Sequence, residues 1–148
     1  MNPQHNTYME RCLELAAMAG ADGKTAVGSV IVKEGRIIAE GIEGAGDVPA
    51  PLAHAEVLAI LKAITYTGSG ELSDCSLYTT VEPCFMCSYL IRQTKIKEVV
   101  FGTRTNGTGG VSSLYPILAA KDIPVWEAVP LITEGVKKEA CGHLLQSK

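Results

Sequence analysis

The chain has 148 residues, 47% of them hydrophobic and 20% charged, which excludes wholesale disorder and suits one domain spanning residues 1–148. Thirteen Lys and Arg against sixteen Asp and Glu give a net charge of −3, which argues against a domain built mainly to grip phosphate backbones. No apolar run reaches the roughly 18 residues a bilayer span needs, and the start Met1-Asn2-Pro3-Gln4-His5 has no signal-peptide pattern. A cytoplasmic protein with no membrane partner is expected.

Thr7 to about Ala21 carries apolar residues at helical spacing and ends in the breaker cluster Gly20-Ala21-Asp22-Gly23. Ala26–Val32 and Arg36–Ile42 flank Glu34-Gly35 and read as a hairpin. Residues 43–51, with two Gly and two Pro, form a loop. Val57, Leu58, Ile60, Leu61 and Ile64 mark a second helix from about Leu52 to Tyr66. Ser76–Val81 is a third strand, and Pro83 suits the first turn of the helix that follows. Glu98–Gly102 reads as the fourth strand and Val125–Val129 as the fifth. Between them Ser112 or Ser113 caps a short helix to Ala120. Thr133 caps the last helix, with Val136, Ala140, Leu144 and Leu145 inward. A hairpin followed by alternating strands and helices implies an α/β sheet covered on both faces, a three-layer α-β-α domain.

The five cysteines are an odd number and show no disulfide framework. Cys12, Cys75 and Cys141 stand singly and read as small buried residues. Cys84 and Cys87 are three apart at a helix start, so both sulfurs share one face, and a helix N-terminus favours the thiolate. His54 stands at the preceding helix start, and two such starts can meet at the carboxyl edge of the sheet. One His and two Cys suit Zn2+ and leave a fourth position open, the pattern of a catalytic site. Cys75, roughly 20 Å back along its strand, is too far to close it. His5 and His143 read as packing or surface residues. Glu56, two residues past His54, supplies a proton shuttle beside a metal that lowers the pKa of water to about 7.

The pair His54-Ala55-Glu56 and Pro83-Cys84-Phe85-Met86-Cys87 resembles the H-x-E…P-C-x-x-C signature of the zinc-dependent nucleobase and nucleoside deaminases, the cytidine-deaminase-like superfamily. Leu77-Tyr78-Thr79-Thr80-Val81-Glu82-Pro83-Cys84 and Val99-Val100-Phe101-Gly102 are similar to bacterial tRNA adenosine deaminases and guanine deaminases. The resemblance implies a five-stranded mixed sheet between helices, a homodimer, zinc on His54, Cys84 and Cys87, and Glu56 as catalytic proton shuttle. It places Val27, Glu43, Ala55, Glu82 and Pro83 on the substrate side, with the Ala55 amide and the backbone near Glu82 facing the reacting carbon.

The tRNA-type pattern has Asn where this chain has Glu43, so a substrate offering N–H donors is expected. It also ends in aromatic and Arg residues, whereas this chain ends Leu144-Leu145-Gln146-Ser147-Lys148. Arg92, Lys95 and Lys97 read as a solvated helix end, and Gly107-Thr108-Gly109-Gly110 as a flexible loop at the site mouth. The expected activity is therefore hydrolytic deamination of a small aminated purine, pyrimidine or related heterocycle, free base or nucleoside. The alternatives are adenosine-to-inosine editing of tRNA and a silent zinc-stabilised scaffold.

Overall fold

The structure is a computed structural model and describes residues 2–146. Met1, Ser147 and Lys148, on which the readings of the two chain ends partly rest, lie outside the described residues. The elements are α1 (Pro3–Ala21), β1 (Gly28–Lys33), β2 (Arg36–Ile42), α2 (Ala55–Thr67), β3 (Cys75–Val81), α3 (Phe85–Gln93), β4 (Glu98–Thr103), β5 (Leu131–Thr133) and α4 (Lys138–Gln146). They form one five-stranded sheet in the order β2-β1-β3-β4-β5. β1 runs antiparallel to both β2 and β3, while β3, β4 and β5 are parallel. The sheet is therefore mixed, as the resemblance implies. Among the described residues, no helix is long and apolar enough to cross a membrane.

Alternation along the strands assigns the two faces. Leu77, Val99 and Phe101 point into a core completed by Ala59, Ile60 and Ala63 of α2 and Ile91 of α3. Tyr78 and Val100 point the other way, onto Met9, Cys12 and Leu15 of α1 and Cys141 of α4. Cys12, Cys75 and Cys141 are all fully buried and unpaired, as expected of small packing residues. His5 is a packing residue too, with Nδ1 2.7 Å from the Tyr78 hydroxyl, and His143 is exposed.

Several boundaries differ from the sequence reading. α1 starts four residues earlier because Asn2 caps it, its side chain accepting from Gln4 N–H at 2.9 Å, with Pro3 at the first position. Pro83 lies before the cap of α3, which is Cys84. α4 begins only at Lys138; Val136 before it is buried and Leu145 packs inward as expected, but Cys141 is the fully buried residue of the helix and Ala140 is exposed. Thr133 belongs to β5 rather than to a cap.

Residues 104–130 depart most. No helix forms over 112–120, and the fifth strand is Leu131–Thr133 instead of Val125–Val129. The cause is Arg92. Far from being a solvated helix end, it is 3% exposed. Its guanidinium donates to the carbonyls of Ile117, Leu118, Ala120 and Ala128 at 2.9–3.2 Å. Trp126 lies under it, 5.0 Å from ring centroid to guanidinium carbon. Backbone acceptors that a helix or strand would satisfy internally are satisfied here by one cation.

Candidate metal centre and active site

Two helix starts carry the chemistry. His54 caps α2 and Cys84 caps α3, each with extended backbone and no side-chain capping bond. The helical hydrogen bonding begins at these residues, with Leu58 N–H on His54 O and Ser88 N–H on Cys84 O. The side chains are thus left to point outward from fixed backbone. Gly41 of β2 lets the α2 start sit close, since a Cβ there would run into the Ala55 carbonyl.

His54 Nδ1 is 3.5 Å from the sulfur of Cys84 and 3.5 Å from that of Cys87. The three donor atoms lie within 4.8 Å of one another, a set that can hold a metal ion. One nitrogen and two sulfurs are the donor chemistry that zinc favours. Without a metal the three groups share protons among themselves. The Cys84 thiol is drawn down to about 4, first by the hydrogen bond from Cys87 and then by His54, against the opposing effect of burial. His54 is raised to about 9 by its bond to Cys84. Cys87, which donates to Cys84 and is buried, is held up as the thiol.

Glu56 is 4% exposed, and its carboxyl is pushed up to about 8. Burial is the chief cause; the charges of Glu43 and Cys84 add to it, while its own amide and His54 oppose it. A carboxyl poised near neutrality suits a group that must both take and give a proton.

A cavity of about 410 Å³ opens at His54, lined by Lys24, Thr25, Glu43, Val48, Pro51 and Ala53 among others. That is the size range of small-ligand sites. Glu43 does reach the site, but its carboxylate accepts from Ala55 N–H at 2.8 Å, so the two groups pair with each other. Burial raises the Glu43 carboxyl, with the Ala55 bond opposing. Val27 is not in the cavity lining; it is buried with Ala55 and Val81, and Leu145 packs against them. Pro83 O accepts from Gly110 N–H at 2.8 Å, and the Glu82 side chain turns away from the cavity onto residues 105–112. Gly109 and Gly110 are buried, so the 107–110 stretch is not the flexible loop its composition suggests.

Sequence reasoning missed one contributor. Lys24 lines the cavity beside Gly44, and its ammonium makes no ion pair among the described residues. An isolated lysine before a strand carries no local signal of that role.

A family model described as the cytidine and deoxycytidylate deaminase zinc-binding region matches residues 2–103. The chain belongs to that family. This deaminase is 36% identical over 140 residues to the tRNA-specific adenosine deaminase of Aquifex aeolicus (strain VF5), covering 88% of this chain and 93% of the relative. The tRNA-specific adenosine deaminase of Streptococcus pyogenes serotype M1 is 37% identical over 111 residues, which are 75% of this chain and 65% of the relative. A solved structure from work on A-to-I editing by tRNA:A34 deaminases at the wobble position of transfer RNA superposes with a TM-score of 0.84 at 27% identity, covering 93% of this chain and 98% of that one. Guanine deaminase from Bacillus subtilis superposes with a TM-score of 0.63 at 41% identity, over 70% of this chain and 66% of that one. The enzyme is a deaminase, a hydrolase of C–N bonds, and its cofactor is Zn2+.

Proposed function

We propose that this deaminase acts on the exocyclic amino group of a purine presented on RNA, with adenosine of a transfer RNA as the lead substrate. The observation that carries the reaction is the meeting of His54, Cys84 and Cys87 beside the buried carboxyl of Glu56. Support for the RNA reading comes from the relative matched over 93% of its length, a tRNA-specific adenosine deaminase. It comes also from Lys24, a cavity-lining cation with no ion pair among the described residues, whose charge suits a phosphate. These reverse the order expected from the sequence, which favoured a free heterocycle. The free-base reading keeps one specific support: Glu43 is an acceptor-only group at the cavity wall, suited to a lactam or amino edge.

In the reaction, water adds to the amino-bearing carbon, the C–N bond breaks, and a carbonyl and ammonia result. His54, Cys84 and Cys87 would hold Zn2+, whose Lewis acidity would lower the pKa of water toward neutrality. Glu56 accepts the proton from the attacking water and returns it to the leaving nitrogen. Glu43 holds the Ala55 amide, and with it the first turn of α2, in place beneath the substrate ring.

A cytoplasmic enzyme and a homodimer belong to the same reading. Tyr89, Leu114, Tyr115 and Val125 are exposed, and Phe85 meets Tyr115 edge-on, leaving an apolar surface that a second copy would cover.

The deciding experiment is ammonia release by the zinc-loaded protein from a tRNA anticodon stem-loop, free guanine and adenine, and the nucleosides, with Glu56→Gln alongside. Turnover of the stem-loop that falls by roughly 10²–10⁴-fold in the variant supports the lead reading. Turnover confined to a free base transfers the assignment to the Glu43 reading. Turnover undiminished in the variant removes Glu56 from the mechanism.

A further inference from the structure

Residues 105–112 run beside the first turn of α3, and much of their backbone converges on one side chain. Glu82, at the end of β3, is 2% exposed. Its Oε1 accepts from Thr105 N–H at 3.1 Å and from the Ser112 hydroxyl at 2.7 Å. Its Oε2 accepts from Val111 N–H at 2.9 Å and Ser112 N–H at 2.7 Å. A carboxylate offers about four acceptor positions, and all are used. These bonds hold the Glu82 carboxyl below its ordinary value although burial alone would raise it.

The packing around the carboxylate is equally particular. A Cβ on Gly109 would collide with the Glu82 carboxylate, and one on Gly110 with the Ser88 hydroxyl. Gly109 forms an isolated antiparallel bridge with Cys84, and Gly110 N–H donates to Pro83 O. The loop is therefore stitched to Pro83–Cys84, the two residues that launch α3, at the point where Glu82 pins its far side. Cys84 caps that helix without a side-chain capping bond, and its backbone is held from outside by the Gly109 bridge.

We propose that Glu82 is a positioning residue of the zinc site: it clamps residues 105–112 against Pro83–Cys84 and so fixes the direction from which the Cys84 sulfur is offered. This rests on the reading of His54, Cys84 and Cys87 as the zinc set. The Glu82 side chain bonds to Thr105, Val111 and Ser112 and makes no hydrogen bond to His54, Cys84 or Cys87. Partners of this kind hold ligands in a productive orientation, and their loss typically costs roughly 10–100-fold in metal affinity.

The test is the rate at which the zinc-loaded protein surrenders its metal to excess chromophoric chelator, with amide exchange at Val111 and Ser112 followed in parallel. The variants are Glu82→Ala, Glu82→Gln and Ser112→Ala. Glutamine keeps one oxygen for Val111 and Ser112 N–H, and its amide can donate to the Ser112 hydroxyl, losing only the Thr105 bond. Zinc release is therefore expected about 100-fold faster in Glu82→Ala, about 10-fold faster in Glu82→Gln and a few-fold faster in Ser112→Ala. Faster amide exchange should rise in the same order.

Release within twofold of the parent in Glu82→Ala, with exchange at Val111 and Ser112 accelerated, overturns the coupling to Cys84. If the alanine variant does not fold, parent-like release in both Glu82→Gln and Ser112→Ala overturns it equally. Cys84→Ser serves as the separate check on the zinc set: full zinc stoichiometry in that variant would overturn the metal reading and the proposal with it.

Discussion

Arg92→Met keeps the aliphatic stem and removes the guanidinium that organises residues 117–128. Four hydrogen bonds go, at 2.9, 3.2, 2.9 and 3.1 Å to Ile117, Leu118, Ala120 and Ala128. Bonds to a charged donor contribute about 1.5–3 kcal/mol each when fully buried. Ile117, Ala120 and Ala128 are half-buried or exposed, so water can take over much of their loss. Leu118 is 0% exposed, and its unpaired carbonyl costs about 1–3 kcal/mol. Losing the stacked Trp126 contact adds about 1 kcal/mol. Against this, the variant no longer buries a guanidinium whose Nε has no partner among the described residues. The net expectation is about 3 kcal/mol of destabilisation, which for a domain of this size lowers Tm by about 10 °C. Thermal unfolding followed by near-ultraviolet circular dichroism measures it, with zinc content checked before each scan. Arg92→Lys, a point charge unable to reach four carbonyls, should recover less than half of the loss. A Tm for Arg92→Met within about 3 °C of the parent would refute the role of Arg92 in organising residues 117–128.

Arg11 grips Glu40 with two hydrogen bonds, 2.6 and 2.9 Å, tying α1 to β2 and holding the Glu40 carboxyl below its ordinary 4.5. Both side chains are 34% exposed, so the coupling in an Arg11→Met/Glu40→Gln cycle should be only about 0.5–1 kcal/mol at pH 7. A carboxyl depressed in the folded state contributes fully above its unfolded value and loses that contribution as pH falls through the lower folded one. The coupling should therefore shrink between about pH 5 and pH 3 in urea titrations, and an equal value at both would contradict it. Stripping zinc with a chelator should abolish turnover and lower the unfolding free energy by about 3 kcal/mol relative to protein in metal at about a hundred times its Kd. Re-addition of Zn2+ should restore both, and unchanged turnover after stoichiometric removal would exclude a metal-dependent reaction.

The elements legible in the sequence are those held by their own periodicity. The hairpin around Glu34-Gly35, the apolar face of α2 and the run from Cys75 to Val81 each bury residues at the spacing their backbone dictates. The segment between β4 and β5 has no such periodicity to read. Val125-Trp126-Glu127-Ala128-Val129 has strand composition, yet Val125 is 77% exposed and Ala128 O is taken by Arg92. Ser112 has the chemistry of a helix cap, yet its hydroxyl and its amide both serve Glu82. In each case a buried charge far away in sequence outcompetes the local preference, because leaving that charge unpaired would cost more than a short helix or strand returns.

The same division runs through the site. His54, Glu56, Cys84 and Cys87 are legible because both ligand groups lie in the first turns of helices, where a few consecutive residues settle which way a side chain points. Glu43 is legible as a residue near the site but not in its partnership with the Ala55 amide, since a carboxylate twelve residues away can cap α2 as readily as it can meet a ligand. That partnership bears on substrate choice. A ring that needs the Ala55 N–H must displace Glu43, whereas a ring that offers donors to Glu43 can leave the pair intact. On the proposed function, the acid favours substrates by what they donate, and the amino group of a purine supplies such a donor.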